Sequence, residues 1–143
     1  MPITVTAAQG ALTPVGEKEV LPRLSAALLK WHGLSGNPFM TPAVVGSVSL
    51  LPVSHIFSGG LSQTVAFVEL KVPSITFLTQ EVKAGFVAEA TSIVVELSGG
   101  QLVKERVFVN VVYAVDGLWG VAGRAYTNAE LGEAISQAAA QAA

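Results

Sequence analysis

A proline stands directly behind the initiator methionine, in Met1-Pro2-Ile3-Thr4-Val5-Thr6. Once Met1 is removed, the chain begins with a secondary amine, a base with no side chain to swing. Burial disfavours the protonated form of an amine and lowers its pKa towards neutrality, where a general base works best. A retained Met1 turns the same nitrogen into an amide, which is no base. A Met-Pro start also suits a small residue at an exposed chain end, so other residues must decide. Lys71 can supply the cation that a carboxylate substrate wants. It can equally form a solvated pair with Glu69, which strand alternation puts on the same face. His32 closes a helical pattern, where it can bind a substrate oxygen or the last helix carbonyls. Asn110 interrupts an apolar strand, and an amide there needs hydrogen-bond partners, from a substrate or from the fold. Arg106 and Arg124 are further carboxylate binders, acting across a subunit boundary. Other chemistries find little. His55 reads as a solvated turn residue, and two distant histidines give no metal signature. Asp116 is the one aspartate, and no nucleophile elbow accompanies it. Gly117, Gly120 and Gly123 follow a strand, with the wrong spacing for a phosphate-binding loop.

Composition narrows the class. The chain has 143 residues, 51% hydrophobic and 13% charged, with a net charge of −2 and no cysteine. That length supports one domain with a real core. So apolar a chain is expected to bury further surface between subunits, as obligate oligomers do. The lack of a basic patch argues against nucleic acid. Without cysteine there is neither a disulfide framework nor a thiolate metal site. No run of 18 apolar residues suggests a membrane span, and no charged start with a long apolar run suggests a signal peptide. Cytoplasm is the expected compartment.

The elements that must position these residues come in two copies. Gly60 and Gly123 stand 63 residues apart. The same offset matches Pro2-Ile3-Thr4 to Val65-Ala66-Phe67, Leu12-Thr13-Pro14 to Ile75-Thr76-Phe77, and Val44–Leu50 to Val107–Tyr113. Each copy reads as strand, helix, strand. In the first, residues 3–8 form a strand. Thr13 is the expected N-cap and Pro14 the first helical residue. Val20, Leu21, Leu24, Ala27, Leu28 and Trp31 recur at helical spacing, and Gly33 stops the helix. Residues 35–42 read as a loop, 44–51 as a strand, and 52–60 as a turn or short hairpin. In the second copy, 65–72 form a strand and Thr76 is the expected N-cap. The apolar stripe is Val82, Phe86, Val87, Ala90, Ile93, Val94 and Leu97, ended by Gly99-Gly100. Residues 106–115 are almost continuously apolar, which suggests a strand buried on both faces or between subunits. Asp116-Gly117 makes a turn. Parallel return of each copy requires a crossover. The expected fold is therefore α+β: a duplicated β-α-β unit forming a four-stranded sheet with two helices on one face. The copies span about 2–62 and 65–125 within a domain 1–127, and 128–143 is an alanine-rich helix or tail.

An N-terminal proline, two strand-helix-strand copies and a glycine-rich hairpin after each second strand together resemble the tautomerase superfamily, over roughly Pro2 to Tyr126. Residues 42–74 and 106–123 resemble its macrophage migration inhibitory factor branch. The carrying segments are Phe57-Ser58-Gly59-Gly60, Phe67-Val68-Glu69-Leu70-Lys71-Val72, Val107-Phe108-Val109-Asn110-Val111 and Trp119-Gly120. The helix end Leu28-Leu29-Lys30-Trp31-His32-Gly33-Leu34-Ser35-Gly36 is similar to the cis-3-chloroacrylic acid dehalogenase branch, which carries a catalytic histidine at the place of His32. The resemblance implies a trimer of βαββαβ subunits whose sheets form an inner barrel. It implies that free Pro2 moves a proton between carbon and oxygen of an enol or keto acid. In other relatives the proline protonates a substrate attacked by water. It also implies a pocket position for Asn110 and a pocket wall at Trp119; a structural amide and core packing are the alternatives.

Two departures bear on the reaction. The dehalogenase and decarboxylase branches bind a carboxylate with paired arginines just after the third strand, where this chain reads Lys71-Val72-Pro73-Ser74-Ile75. They activate water with an acidic residue near the last hairpin, where this chain reads Leu118-Trp119-Gly120-Val121-Ala122-Gly123. The expected function is thus a cofactor-free tautomerase, or related isomerase, acting on a small keto or enol carboxylate. Pro2 is its acid-base. His32, Lys71, Asn110 and Arg124 hold substrate oxygens, while Phe108 and Trp119 exclude water. The alternatives are a non-catalytic trimeric binding module of the same fold, or a dehalogenase-, hydratase- or decarboxylase-like relative.

Overall fold

The computed structural model describes residues 1–142. In chain order the elements are β1 (Pro2–Ala8), α1 (Pro14–Trp31), a short α2 (Met40–Ala43), β2 (Val45–Leu51), β3 (Phe57–Ser58), β4 (Leu61–Ser62), β5 (Ala66–Pro73), α3 (Gln80–Leu97), β6 (Val107–Ala114), β7 (Trp119–Val121), β8 (Arg124–Tyr126) and α4 (Asn128–Ala142), with single 3-10 turns at Val53–His55 and Lys104–Arg106. The main sheet has the order β2-β1-β5-β6. Each copy pairs its own strands in parallel, and the copies meet through the antiparallel pair β1–β5.

Period-2 patterning decides which face the helices cover. Ile3, Val5 and Ala7 on β1, with Val68, Leu70 and Val72 on β5, are fully buried. Against them pack Val20, Leu24 and Leu28 of α1 and Phe86, Ala90 and Val94 of α3. The helices come close because Gly85 faces Trp31: a Cβ there would fall 2.1 Å from the indole ring. On the other face the registers align Ser47, Thr4, Glu69 and Asn110 in one row, and Ser49, Thr6, Phe67 and Phe108 in the next. Among the described residues nothing covers Ser47, Glu69, Asn110 and Phe108 of this face, which are exposed.

Four expectations need correction. The second helix is capped by Thr79, not Thr76: the Thr79 hydroxyl accepts from the Val82 N–H at 3.2 Å. Thr76 closes a turn on the Pro73 carbonyl and Phe77 takes a positive φ of 56°, so three extra residues precede the helix. The 63-residue offset therefore fits the strands better than the helices. Val87 is exposed, because α3 turns Phe86 and Ala90 inward instead. The strand β6 is an edge strand, with Val112 60% exposed, so it is not buried on both faces within the chain. Finally, the loop at 35–42 contains the start of α2, nucleated by the Asn37 side-chain oxygen, which accepts from the N–H groups of Phe39 and Met40.

The alanine-rich end forms α4; Ala143 lies outside the described residues. Its start is a capping box. The Thr127 hydroxyl accepts from the Glu130 N–H, and the Glu130 carboxylate accepts from the Thr127 N–H at 2.9 Å. That backbone bond, then Arg124 and the Thr127 hydroxyl, pull the Glu130 carboxyl from 4.5 down to about 2. A depressed carboxyl stabilises the fold fully above its unfolded value and loses that effect as pH falls from about 4.5 towards 2. Glu130→Gln should accordingly lower the melting temperature at pH 7, and the difference from wild type should close by pH 2. A gap independent of pH would contradict this role.

Candidate active site

The start of β1 lies between two cavities. Pro2, Lys71 and Trp119 line the first, of about 470 Å³, together with Ala43 and the hairpin residues Leu118 and Val121. Strand pairing explains the meeting: Ile3 faces Leu70, so Lys71 comes opposite the chain start, while the parallel register sets Pro2 beside Val45. Trp119 enters from the β7–β8 hairpin. Its indole Nε1 is buried and has no hydrogen-bond partner among the described residues. An orphaned buried donor costs about 1–3 kcal/mol. Lys71 is exposed and enters no ion pair among the described residues; Glu69 shares its face without reaching it.

The second cavity, of about 340 Å³, is bounded by Trp31 and His32 at the end of α1, Ile75 after β5, Val82 on α3, and Leu131 and Ile135 on α4. Trp31 is held by its indole N–H, which donates to Glu89 at 2.8 Å. His32 is held at both nitrogens. Nδ1 lies 2.7 Å from the Leu28 carbonyl, and Nε2 accepts from the Phe77 N–H at 3.1 Å. This pattern puts the ring proton on Nδ1, where it donates to Leu28. His32 thus offers the cavity its ring, while its nitrogens serve the helix end and the left-handed Phe77 turn.

Met1 joins the two cavities. Among the described residues it alone belongs to both walls. It is 4% exposed, its amine donates to the Ala43 carbonyl, and its own carbonyl accepts from the Val45 N–H at 3.2 Å. Burial lowers this amine from 8.0 to about 6.

The other expected site residues lie elsewhere in the subunit. Asn110 is on the uncovered sheet face opposite Glu69, and Phe108 stacks on Phe67 one row further, with ring centroids 5.9 Å apart. Neither lines the two cavities. Arg124 is held by Glu130 at 2.9 Å and lies over the Tyr126 ring. Conversely, sequence reasoning missed Ala43, Leu118, Ile75, Leu131 and Ile135 as cavity walls. The i, i+4 spacing of Leu131 and Ile135 was a usable signal for an inward helix face.

No family model and no curated protein sequence matches the chain. Solved structures do. A fused 4-OT wild-type symmetric trimer superposes with a TM-score of 0.75 at 20% identity, covering 92% of this chain and 99% of that one. Pt0534 inactivated by 2-oxo-3-pentynoate gives 0.73 at 20% identity, again covering 92% and 99%. The macrophage migration inhibitory factor of Toxoplasma gondii gives 0.65 at 18% identity, covering 88% of this chain and all of that one. The chain has the α+β fold of these structures, and in its architecture resembles the tautomerase superfamily.

Proposed function

We propose that the chain, freed of Met1, is a tautomerase that moves a proton in a small keto or enol carboxylate, as a cytoplasmic homotrimer without cofactor. The observation that carries this is the position of Pro2, at the head of a central strand in a cavity that also holds an unpaired cation, Lys71, and the side chain of Trp119. The neutral Pro2 nitrogen takes the enol proton, and the resulting ammonium returns it to carbon. Lys71 holds the carboxylate, and the Trp119 side chain walls the site. The uncovered sheet face, with Phe108 and Val112 exposed, supports burial against neighbouring subunits. In the proposed trimer, the kind of assembly named for the fused 4-OT structure, Asn110, Phe108 and Arg124 act across a subunit boundary. His32 adds its ring to the wall. The absence of arginine after β5 disfavours dehalogenase-, hydratase- or decarboxylase-like chemistry.

A free secondary amine should add to 2-oxo-3-pentynoate, the reagent named for Pt0534. Nitrogen attacks the alkyne carbon remote from the ketone, and its proton passes to the neighbouring carbon. The adduct gains the full reagent mass with no leaving group. Peptide mapping of the native protein is expected to put one adduct on Pro2. Labelling at Met1, or none, would end the proline mechanism. The burial of Met1 and its hydrogen bonds to Ala43 and Val45 favour a second function, a non-catalytic binding module that keeps Met1. The same mapping separates the two.

A further inference from the structure

The chamber beyond Met1 has a wall of unusual uniformity. At about 340 Å³ it falls within the range of small-molecule sites, about 300–1,000 Å³. An apolar cavity of about 150 Å³ already accepts benzene. No lysine, arginine, aspartate or glutamate contributes to its wall. Of its polar groups, the His32 nitrogens are committed to Leu28 and Phe77 and the Met1 amine to Ala43, the Thr79 hydroxyl accepts from the Val82 N–H, and the Thr76 hydroxyl is the other. A carboxylate entering here would lose its water and meet no cationic side chain, only the Met1 amine already bound to Ala43, which is costly.

The roof is α4. Leu131 is 1% exposed, and Ile135 packs against the core. Three polar ties fix the helix over the chamber. The Asn37 side-chain amide donates to the Ile135 carbonyl at 3.1 Å, the Asn128 amide donates to the Ser74 hydroxyl at 2.9 Å, and the Asp116 carboxylate accepts from the Asn128 N–H at 2.6 Å. Each tie comes from a different loop, so α4 is seated as a built lid, not a loose tail.

We infer that α4 is the specificity element of the site: Leu131 and Ile135 close a chamber that takes an uncharged aromatic or branched group and rejects a second carboxylate. The word substrate rests on the Pro2 proposal above; the ligand preference of the chamber does not. With Met1 removed, the Pro2 nitrogen sits between this uncharged chamber and the cavity holding Lys71. The favoured ligand is then a monocarboxylic keto or enol acid with an apolar tail, and dicarboxylic acids are poor ligands.

The test uses indole, an uncharged aromatic, titrated into the native protein by calorimetry. Wild type and Pro2→Ala should bind it equally. Ile135→Trp, which fills the chamber, should weaken binding at least about tenfold. In turnover, wild type should prefer the enol of an aromatic keto acid over that of a dicarboxylic one. Ile135→Lys should narrow this preference, raising KM for the aromatic enol more than it lowers kcat. Failure of wild type to bind indole, or unchanged binding by Ile135→Trp, would overturn the assignment. If circular dichroism shows Ile135→Trp unfolded, Ile135→Ala replaces it: the larger chamber should favour 2-naphthol over indole relative to wild type, and an unchanged ratio overturns the assignment. Indole binding with full tautomerase activity in Pro2→Ala would remove the proton-transfer mechanism and leave the chamber standing. Absent indole binding with an inactive Pro2→Ala would do the reverse.

Discussion

Replacing Pro2 by alanine is expected to lower tautomerase activity towards a phenylpyruvate-type enol by about 10²- to 10⁴-fold, the usual contribution of a positioned general acid-base. Alanine keeps a terminal nitrogen, so the test concerns placement and basicity more than presence. The proline ring ties the nitrogen to Cα and fixes its rotation near one value of φ. An alanine amine rotates freely and carries an extra hydrogen that must be desolvated in the same narrow space. The fold should survive the change. Pro2 is only partly buried, and the β1 core rests on Ile3, Val5 and Ala7. Assembly should likewise be unchanged, as read by sedimentation. The comparison requires Met1 to be absent from both proteins, which intact mass decides. Full activity in Pro2→Ala would eliminate the mechanism; lost activity with lost assembly would point to a structural fault instead.

Phe86→Ala should cost about 3–5 kcal/mol of stability, the range for deleting a buried aromatic ring. Phe86 is the largest fully buried side chain of the chain. Its ring lies 5.1 Å from that of Phe77, which in turn meets His32 edge-on at 4.7 Å. The consequence therefore extends beyond a void. Phe77 adopts a left-handed backbone that a bulky residue rarely takes, and it holds that conformation through burial and its bond to His32. Removing the Phe86 ring takes away the floor beneath this turn and loosens the His32 wall of the cavity under α4. Domains are stable by about 5–15 kcal/mol, so the loss takes a large share. Denaturant unfolding at fixed protein concentration measures it, since oligomer stability depends on concentration. Phe86→Leu should cost less by keeping most of the volume. A loss below about 1 kcal/mol for Phe86→Ala would show that the core collapses around the gap without strain.

Much of the architecture was legible because it depends on local rules. Thr13 caps α1 through its hydroxyl and Pro14 starts it, as side-chain chemistry and the missing proline N–H require. Gly33 takes a positive φ of 64° just past the helix. Alternation put Glu69 and Lys71 on one face of β5, and both are exposed. The error at Thr76 has a definite cause. Thr76 and Thr79 are both acceptable caps in isolation, and the choice fell to Phe77, whose ring finds a buried seat between His32 and Phe86 only if the helix starts later. The Thr127–Glu130 capping box, readable from its spacing, decides between the two expected forms of the alanine-rich end in favour of a helix.

The residue types and their spacing determined, without coordinates, the duplicated strand-helix-strand order, the helix-covered sheet and the proline at the head of its first strand. These follow from hydrogen-bonding geometry and periodicity within a few residues. Tertiary structure alone decided that Lys71 and Trp119 share a cavity with Pro2, that His32 spends its nitrogens on backbone groups, that Met1 stands between two cavities, and that α4 roofs one of them. Such encounters join residues tens of positions apart. They are set by strand register and by competition for buried space, which no local pattern records.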